Sequence, residues 1–161
     1  MQSIVTAFSR YWALCANGLD RLRPIADLAA RLYVAHVFLL SGLSKVQDWE
    51  TTLYLFREEY HVPLLPPELA ATIAAAGELG LSALLVVGFC TRFSAAGLFV
   101  LNAVAVISYY DALASSPAAL HDHMEWGLIL ALLFTARAGL FSIDRLVESW
   151  FRRGQPASKS A

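Results

Sequence analysis

Residues 70–101 read AATIAAAGELGLSALLVVGFCTRFSAAGLFVL. Two apolar runs are separated only by Cys90-Thr91-Arg92-Phe93. A bilayer core of roughly 30 Å takes about 20 mostly apolar helical residues to cross. Residues 70–89 meet that length and residues 94–113 meet it again, so a transmembrane hairpin is expected with its turn at residues 90–93. Glu78 interrupts the first run. A carboxylate at membrane depth is costly and belongs against a protein interior or a wet cavity. Glu78 is therefore the first candidate functional residue.

The rest of the chain has the same character. It is 58% hydrophobic and 16% charged, whereas a soluble domain carries about a quarter charged residues. The charges are also segregated between apolar blocks, which places the chain in the membrane class. The expected fold is all-α: one four-helix transmembrane bundle. A net charge of -1 and the lack of a basic stripe exclude a nucleic-acid partner. Cys15 and Cys90 have no CxxC spacing, which argues against a disulfide or a cysteine metal site.

Working outward, residues 28–46 form the first span, opened by Pro24. Before it, residues 1–26 carry Ile4, Phe8, Tyr11, Cys15, Leu19 and Leu22 at helical spacing, with Trp12 beside them. That pattern suits an amphipathic helix on the inner leaflet; a loosely ordered terminus is the competing reading. No basic leader and cleavage site are present, so a cleaved signal peptide is not expected. In residues 48–67, Trp49, Leu53, Phe56 and Tyr60 share one helical face. They predict a short interfacial helix across the outer mouth of the bundle, ended by the prolines at 63, 66 and 67. In the second span Ala71 and Ala75, and Ala76 and Gly80, stand at the four-residue spacing that lets helices approach closely in lipid. The third span holds Asn102 and ends in Tyr109-Tyr110-Asp111. A polar loop over residues 112–125 leads to a fourth span at residues 124–143, with Trp126 at its outer edge and Arg137 inside it. The membrane domain thus covers residues 27–145, and a basic tail, residues 146–161, is expected to be disordered.

All but two of the twelve Lys and Arg residues fall on the side of the termini and of the Arg92 turn. Only Lys45 and Arg57 fall on the other side, where most acidic residues collect. The positive-inside rule then puts both termini in the cytoplasm.

Helical rise gives depth. His36 and Asn102 lie about 12 Å from the inner ends of their spans, Glu78 about 12 Å and Arg137 about 18 Å from the outer ends of theirs. In a core of about 30 Å all four fall near one plane. One polar residue per helix at mid-depth suggests a shared interior site that binds a quinone head group or passes a proton. The alternative is a buried polar cluster that only fixes helix packing. Arg31 and Lys45, near opposite ends of the first span, are placed to snorkel. Arg92 reads first as a positive-inside anchor.

At the outer rim stands His121-Asp122-His123-Met124-Glu125. His121 and His123 are candidate metal ligands. Yet a site needs three or four ligands of defined geometry, and Asp122 in this position also suits a helix cap.

These residues resemble the DoxX family. Arg31 followed by Leu39-Leu40-Ser41-Gly42-Leu43-Ser44-Lys45 is similar to that family's R…F…G…K signature. Gly77-Glu78-Leu79-Gly80, then Gly88-Phe89 and Thr91-Arg92, resembles its E-x-x-x-G…G…TR pattern. Residues 137–144 are similar to the R-G-P-G…S-L-D ending of some members, with Ala138 and Gly139 in place of the Gly-Pro-Gly step. The resemblance implies a four-helix, multi-pass protein of the bacterial inner membrane. It also implies Arg31, Lys45, Glu78, Arg92 and Arg137 as the matching polar positions. Some relatives belong to thiosulfate:quinone oxidoreductases and others to redox-defence complexes.

Two functions remain open at this point. The first is a membrane subunit of a redox system, quinone-linked or acting in thiol or sulfur oxidoreduction, working with a membrane or soluble redox partner protein. Glu78, His36 and Arg137 would carry the chemistry, and Arg31, Lys45, Arg92, Asn102 and Trp126 would bind the substrate or head group. No haem or iron–sulfur ligand set is visible, so a quinone is the one cofactor considered. The second is a non-enzymatic membrane scaffold that handles metal or a small solute, for which His121 and His123 would matter most.

Overall fold

The apolar runs become helices that pair side by side. In this computed structural model the described residues are 2–136 and 139–153, with side chains described from residue 18 onward and at a few earlier positions. Among them are seven helices and no strand: α1 (Gln2–Gln47), α2 (Trp49–Glu58), α3 (Pro67–Val87), α4 (Thr91–Ser108), α5 (Tyr110–Ala114), α6 (Pro117–Thr135) and α7 (Ile143–Arg153). Helix α1 packs on α3 and α6, and α4 packs on the same two, so four helices close into a ring. Their shared core is Val34, Ala35 and Phe38 of α1, Leu85 of α3, Ala95 and Leu98 of α4, and Leu130 and Leu133 of α6. Leu32, Leu40, Val86, Phe99, Ile107, Leu128 and Leu132 point outward. Apolar residues on both faces mark helices made for lipid. Among the described residues, three segments are long and apolar enough to cross a membrane: Gly18–Gln47, Pro67–Val87 and Thr91–Ser108.

The hairpin expected from residues 70–101 is present, with its turn slightly earlier. Helix α3 ends at Val87 because Gly88 turns left-handed, at φ 70°. Its N–H reaches back to Leu84 and Leu85, while Phe89 N–H bonds Leu84 O. This closes the free carbonyls of the last turn as a glycine cap does. Cys90 is also left-handed, and α4 starts at Thr91.

Four sequence expectations are corrected. Helix α1 is continuous through Pro24, so the expected N-terminal helix and the first span run on as one helix from Gln2 to Gln47. Proline removes one backbone bond, the one to Asp20 O, without ending the helix. The third span ends at Ser108, where Tyr109 leaves helical geometry and α5 begins. The fourth long helix runs over Pro117–Thr135 rather than residues 124–143. Pro117 starts it in the first-turn position where proline's missing donor costs nothing. Ala136 then turns extended, while Thr135 Oγ1 donates to Ala131 and Leu132 carbonyls. Finally, residues 146–153 of the expected tail are helical in α7; residues 154–161 lie outside the described ones.

Helix α2 forms where expected. Asp48 caps it by accepting Thr51 N–H at 3.0 Å. Phe56 is buried against Ala70 and Ala71 of α3, with Leu53 and Tyr60 beside it. Ala71 and Ala75 do lie in the packed face, whereas Ala76 and Gly80 are exposed. Helices α1 and α3 approach closely at Gly42, where a Cβ would meet Leu79 Cγ at 2.8 Å and Glu78 Cβ at 3.1 Å.

Candidate functional site

Close approach at Gly42 brings the end of α1 against the middle of α3. One turn further on, Lys45 Nζ lies 2.8 Å from Glu78 Oε2 and 3.0 Å from Oε1, and donates to Ser41 Oγ at 2.8 Å. The pair is largely withdrawn from solvent, with side-chain exposures of 18% for Lys45 and 10% for Glu78. The ammonium has three hydrogens, and three acceptors surround it. The charges neutralise each other, which is how such groups are tolerated at depth.

The ion pair forms part of the wall of a cavity of about 510 Å3. Its remaining walls are mostly apolar, drawn from α1, α3 and α4: Phe38, Ile73, Ala74, Leu101 and Val104 among them. Helix α2 roofs it. Phe56 meets Tyr60 edge-on at 4.9 Å, and Tyr60 meets Tyr109 at 4.7 Å. Tyr109 donates its hydroxyl to Glu59 at 2.9 Å. Burial first, then the nearby Tyr109, Glu59 and Glu78, pushes the Tyr60 phenol above its ordinary value of 10.0. On the α6 side, Trp126 stands edge-on to Phe38 at 6.1 Å and to His123 at 4.9 Å. An apolar chamber with a few converging polar groups is the usual form of a small-molecule site.

Behind that wall, Asn102 Nδ2 donates to the backbone carbonyl of His123 at 2.9 Å, and Asn102 Oδ1 faces His123 Nδ1 at 2.8 Å. Gly127 leaves room for this amide: a Cβ there would stand 3.2 Å from Asn102 Nδ2.

The expected residues therefore separate. Glu78, Lys45 and Trp126 meet at the cavity, with Asn102 one layer behind. His36 does not join them; its side chain is exposed on the outside of α1. The inward stripe of α1 is Arg31, Val34, Ala35, Phe38, Gly42 and Lys45, and residue 36 falls off it by about 100° from residue 35. Arg137 lies outside the described residues. His121 and His123 do not converge. They sit on α6 instead of in a loop, and two residues apart on a helix do not face each other. His121 is exposed while His123 turns inward. Among the described residues no three His, Cys, Asp or Glu side chains gather as a metal group.

Arg31 and Arg92 belong to the other end of the bundle, about 21 Å from Lys45 in the case of Arg31, by helical rise along α1. Arg31 is 1% exposed and donates to Phe141 O. It also packs against Gly88, where a Cβ would come within 2.6 Å of Nη1 and of Ser142 Cβ. Asp144 caps α4 by accepting Cys90 N–H at 2.7 Å and Thr91 N–H at 2.8 Å, and returns its own N–H to Gly88 O at 3.0 Å. Arg92 is exposed and donates to Ala136 O at 3.0 Å. Arg31, Gly88, Thr91, Ser142 and Asp144 thus form one knot that fastens the chain after α6 to the α3–α4 turn. Their visible role is architectural.

Sequence reasoning missed Ser41, Tyr60, Tyr109 and Phe38 as cavity walls. The spacing of Phe38, Ser41 and Lys45 along α1 was the available signal.

A family model described as DoxX matches residues 26–111, more than half of the chain. No curated protein and no solved structure matches it.

Proposed function

The chain belongs to the DoxX family, and from its cavity we propose that it is a quinone-linked membrane subunit of a redox system. In this reading α6 crosses the bilayer with the other three long helices, both termini are cytoplasmic, and the membrane is a bacterial inner membrane. The chamber roofed by α2 then opens toward the outer leaflet. The observation that carries the proposal is the pairing of Lys45 and Glu78 on the wall of a cavity of about 510 Å3 that is otherwise mainly aromatic and aliphatic.

The residues fit a quinone head group. Phe38, Trp126 and Tyr60 offer flat apolar surface to a ring. Lys45 can redirect one hydrogen from Glu78 to a ring oxygen, and Glu78 can hold a proton beside it. The Phe56–Tyr60–Tyr109 roof would shield a bound ring from water. A bound quinone would supply two-electron, two-proton chemistry. The electron donor would be a partner protein, in the membrane or in solution, since no redox cofactor ligand set is visible in the sequence.

A non-enzymatic scaffold is the second reading. It is favoured by one observation: all three acceptors around the Lys45 ammonium are internal, as a packing device requires.

Binding of a short-chain benzoquinone to the full chain in nanodiscs separates the two. Saturable binding is expected in the wild type. Ala74→Phe, which fills part of the chamber and keeps both members of the ion pair, should abolish it, and Glu78→Gln should weaken it while the protein still inserts and folds. No saturable binding, or binding that neither substitution changes, would overturn the redox reading in favour of the scaffold.

A further inference from the structure

The Asn102–His123 contact has only one consistent hydrogen assignment. A backbone carbonyl accepts and never donates, so the Asn102 group facing His123 O at 2.9 Å is its NH2. The Asn102 oxygen is therefore the atom 2.8 Å from His123 Nδ1. Oxygen there can only accept, so Nδ1 carries the hydrogen. In a neutral imidazole the other nitrogen is then a bare acceptor. His123 lines the chamber, whereas Asn102, which engages its Nδ1, does not.

We infer that Asn102 locks His123 as the Nδ1–H tautomer, and that His123 Nε2, on the chamber side of the ring, selects a head group bearing a hydroxyl donor, the hydroquinone form, over one bearing only carbonyl or ether oxygens. This rests on the proposed quinone reading and deepens it. The chamber then has two chemically different polar poles. The Lys45–Glu78 pair supplies a donor that greets an oxygen acceptor. His123 supplies an acceptor that greets a hydroxyl. A carbonyl facing Nε2 would set lone pair against lone pair, and burying an acceptor without a donor is unfavourable. Asn102 acts as a positioning residue and His123 as a specificity-determining one.

Three probes test this at pH 8, where an ordinary imidazole is neutral: trimethylhydroquinone under anaerobic conditions, its dimethyl ether, and trimethylbenzoquinone. Each is titrated into the full chain in nanodiscs. The wild type should bind the hydroquinone about tenfold more tightly than the ether or the quinone, the preference expected of one added hydrogen bond to a buried acceptor. His123→Phe should bring that ratio to about one while the quinone still binds. Asn102→Leu should lower it by freeing the tautomer. Nitrogen-15 NMR of histidine-labelled protein provides a readout without ligand, with signals assigned by their loss in His123→Phe. His123 should show a protonated Nδ1 and an unprotonated Nε2 in the wild type, and a mixture in Asn102→Leu. An unprotonated Nδ1 in the wild type would overturn the inference, as would a hydroquinone-to-ether ratio near one. If quinone binds but shows no such discrimination, this inference fails and the proposed function stands. If none of the three probes binds, both fail.

Discussion

Lys45 and Glu78 lie 33 positions apart in sequence, yet their charged atoms stand 2.8 Å apart in the packed bundle. Removing one partner from a buried pair leaves an uncompensated charge and costs about 3–5 kcal/mol, whereas replacing both by apolar groups is often neutral. Lys45→Met is therefore expected to lower stability by about 3 kcal/mol, discounted toward the low end for its partial exposure. The Lys45→Met/Glu78→Met double variant should fall within about 1 kcal/mol of the wild type. Denaturant unfolding of the detergent-solubilised protein measures the cycle, and additive losses would show that the pair is not coupled.

Asp144 donates no side-chain hydrogen of its own; it accepts two backbone ones at the start of α4. Loss of a helix cap costs about 0.5–2 kcal/mol. Asp144→Ala should lose about that much stability and raise amide exchange at Cys90 and Thr91. Unchanged exchange at those two positions would contradict the cap.

Gly88 has φ 70°, and a Cβ there would come within 2.6 Å of both Arg31 Nη1 and Ser142 Cβ. Left-handed geometry alone costs a residue with a side chain roughly 1–2 kcal/mol. The collision adds to it, because neither neighbour is free to move: Arg31 is buried and Ser142 sits in the knot. Gly88→Ala should lower the melting temperature more than Gly80→Ala, whose Cβ would meet nothing within 4 Å.

Asp48 gives a pH-dependent prediction outside the membrane spans. Hydrogen bonds from Thr51, the backbone N–H first, hold its carboxyl below the ordinary value of 3.8. A depressed folded-state value means that the stabilisation is present above pH 3.8 and is lost as pH falls through the folded value. Wild type should melt above Asp48→Ala at neutral pH, and the gap should close on acidification below that point. A gap that widens with acid would reverse the sign.

Much of this was legible in the chain. Hydropathy and length located the hairpin, because lipid leaves a spanning helix little choice of composition. The stripe Trp49, Leu53, Phe56 and Tyr60 located α2, because a short amphipathic helix must cover something apolar. The end of α6 was not legible. Leu132 to Phe141 stays largely apolar, and the chain beyond the helix is fastened by tertiary contacts that the sequence does not announce: Arg31 takes the Phe141 carbonyl and Asp144 takes the α4 amides. Depth counting put His36 beside Glu78, since depth says nothing about which way a side chain turns. The rotation was nonetheless present in the sequence. Arg31, Val34, Phe38, Ser41 and Lys45 recur every three to four residues, and that rhythm marks the face on which Lys45 looks inward and His36 cannot.

The knot at Asp144 also imposes an order of events. Its hydrogen bonds join positions 53 and 54 residues apart. A nascent chain delivered N-terminus first presents the α3–α4 hairpin with bare amides at Cys90 and Thr91 and with Arg31 lacking its carbonyl. Those sockets fill only when Phe141 and Asp144 have left the ribosome. Completion of this bundle is thus signalled at a turn made much earlier, and a chain cut short before Asp144 would carry its defect there rather than at its new end.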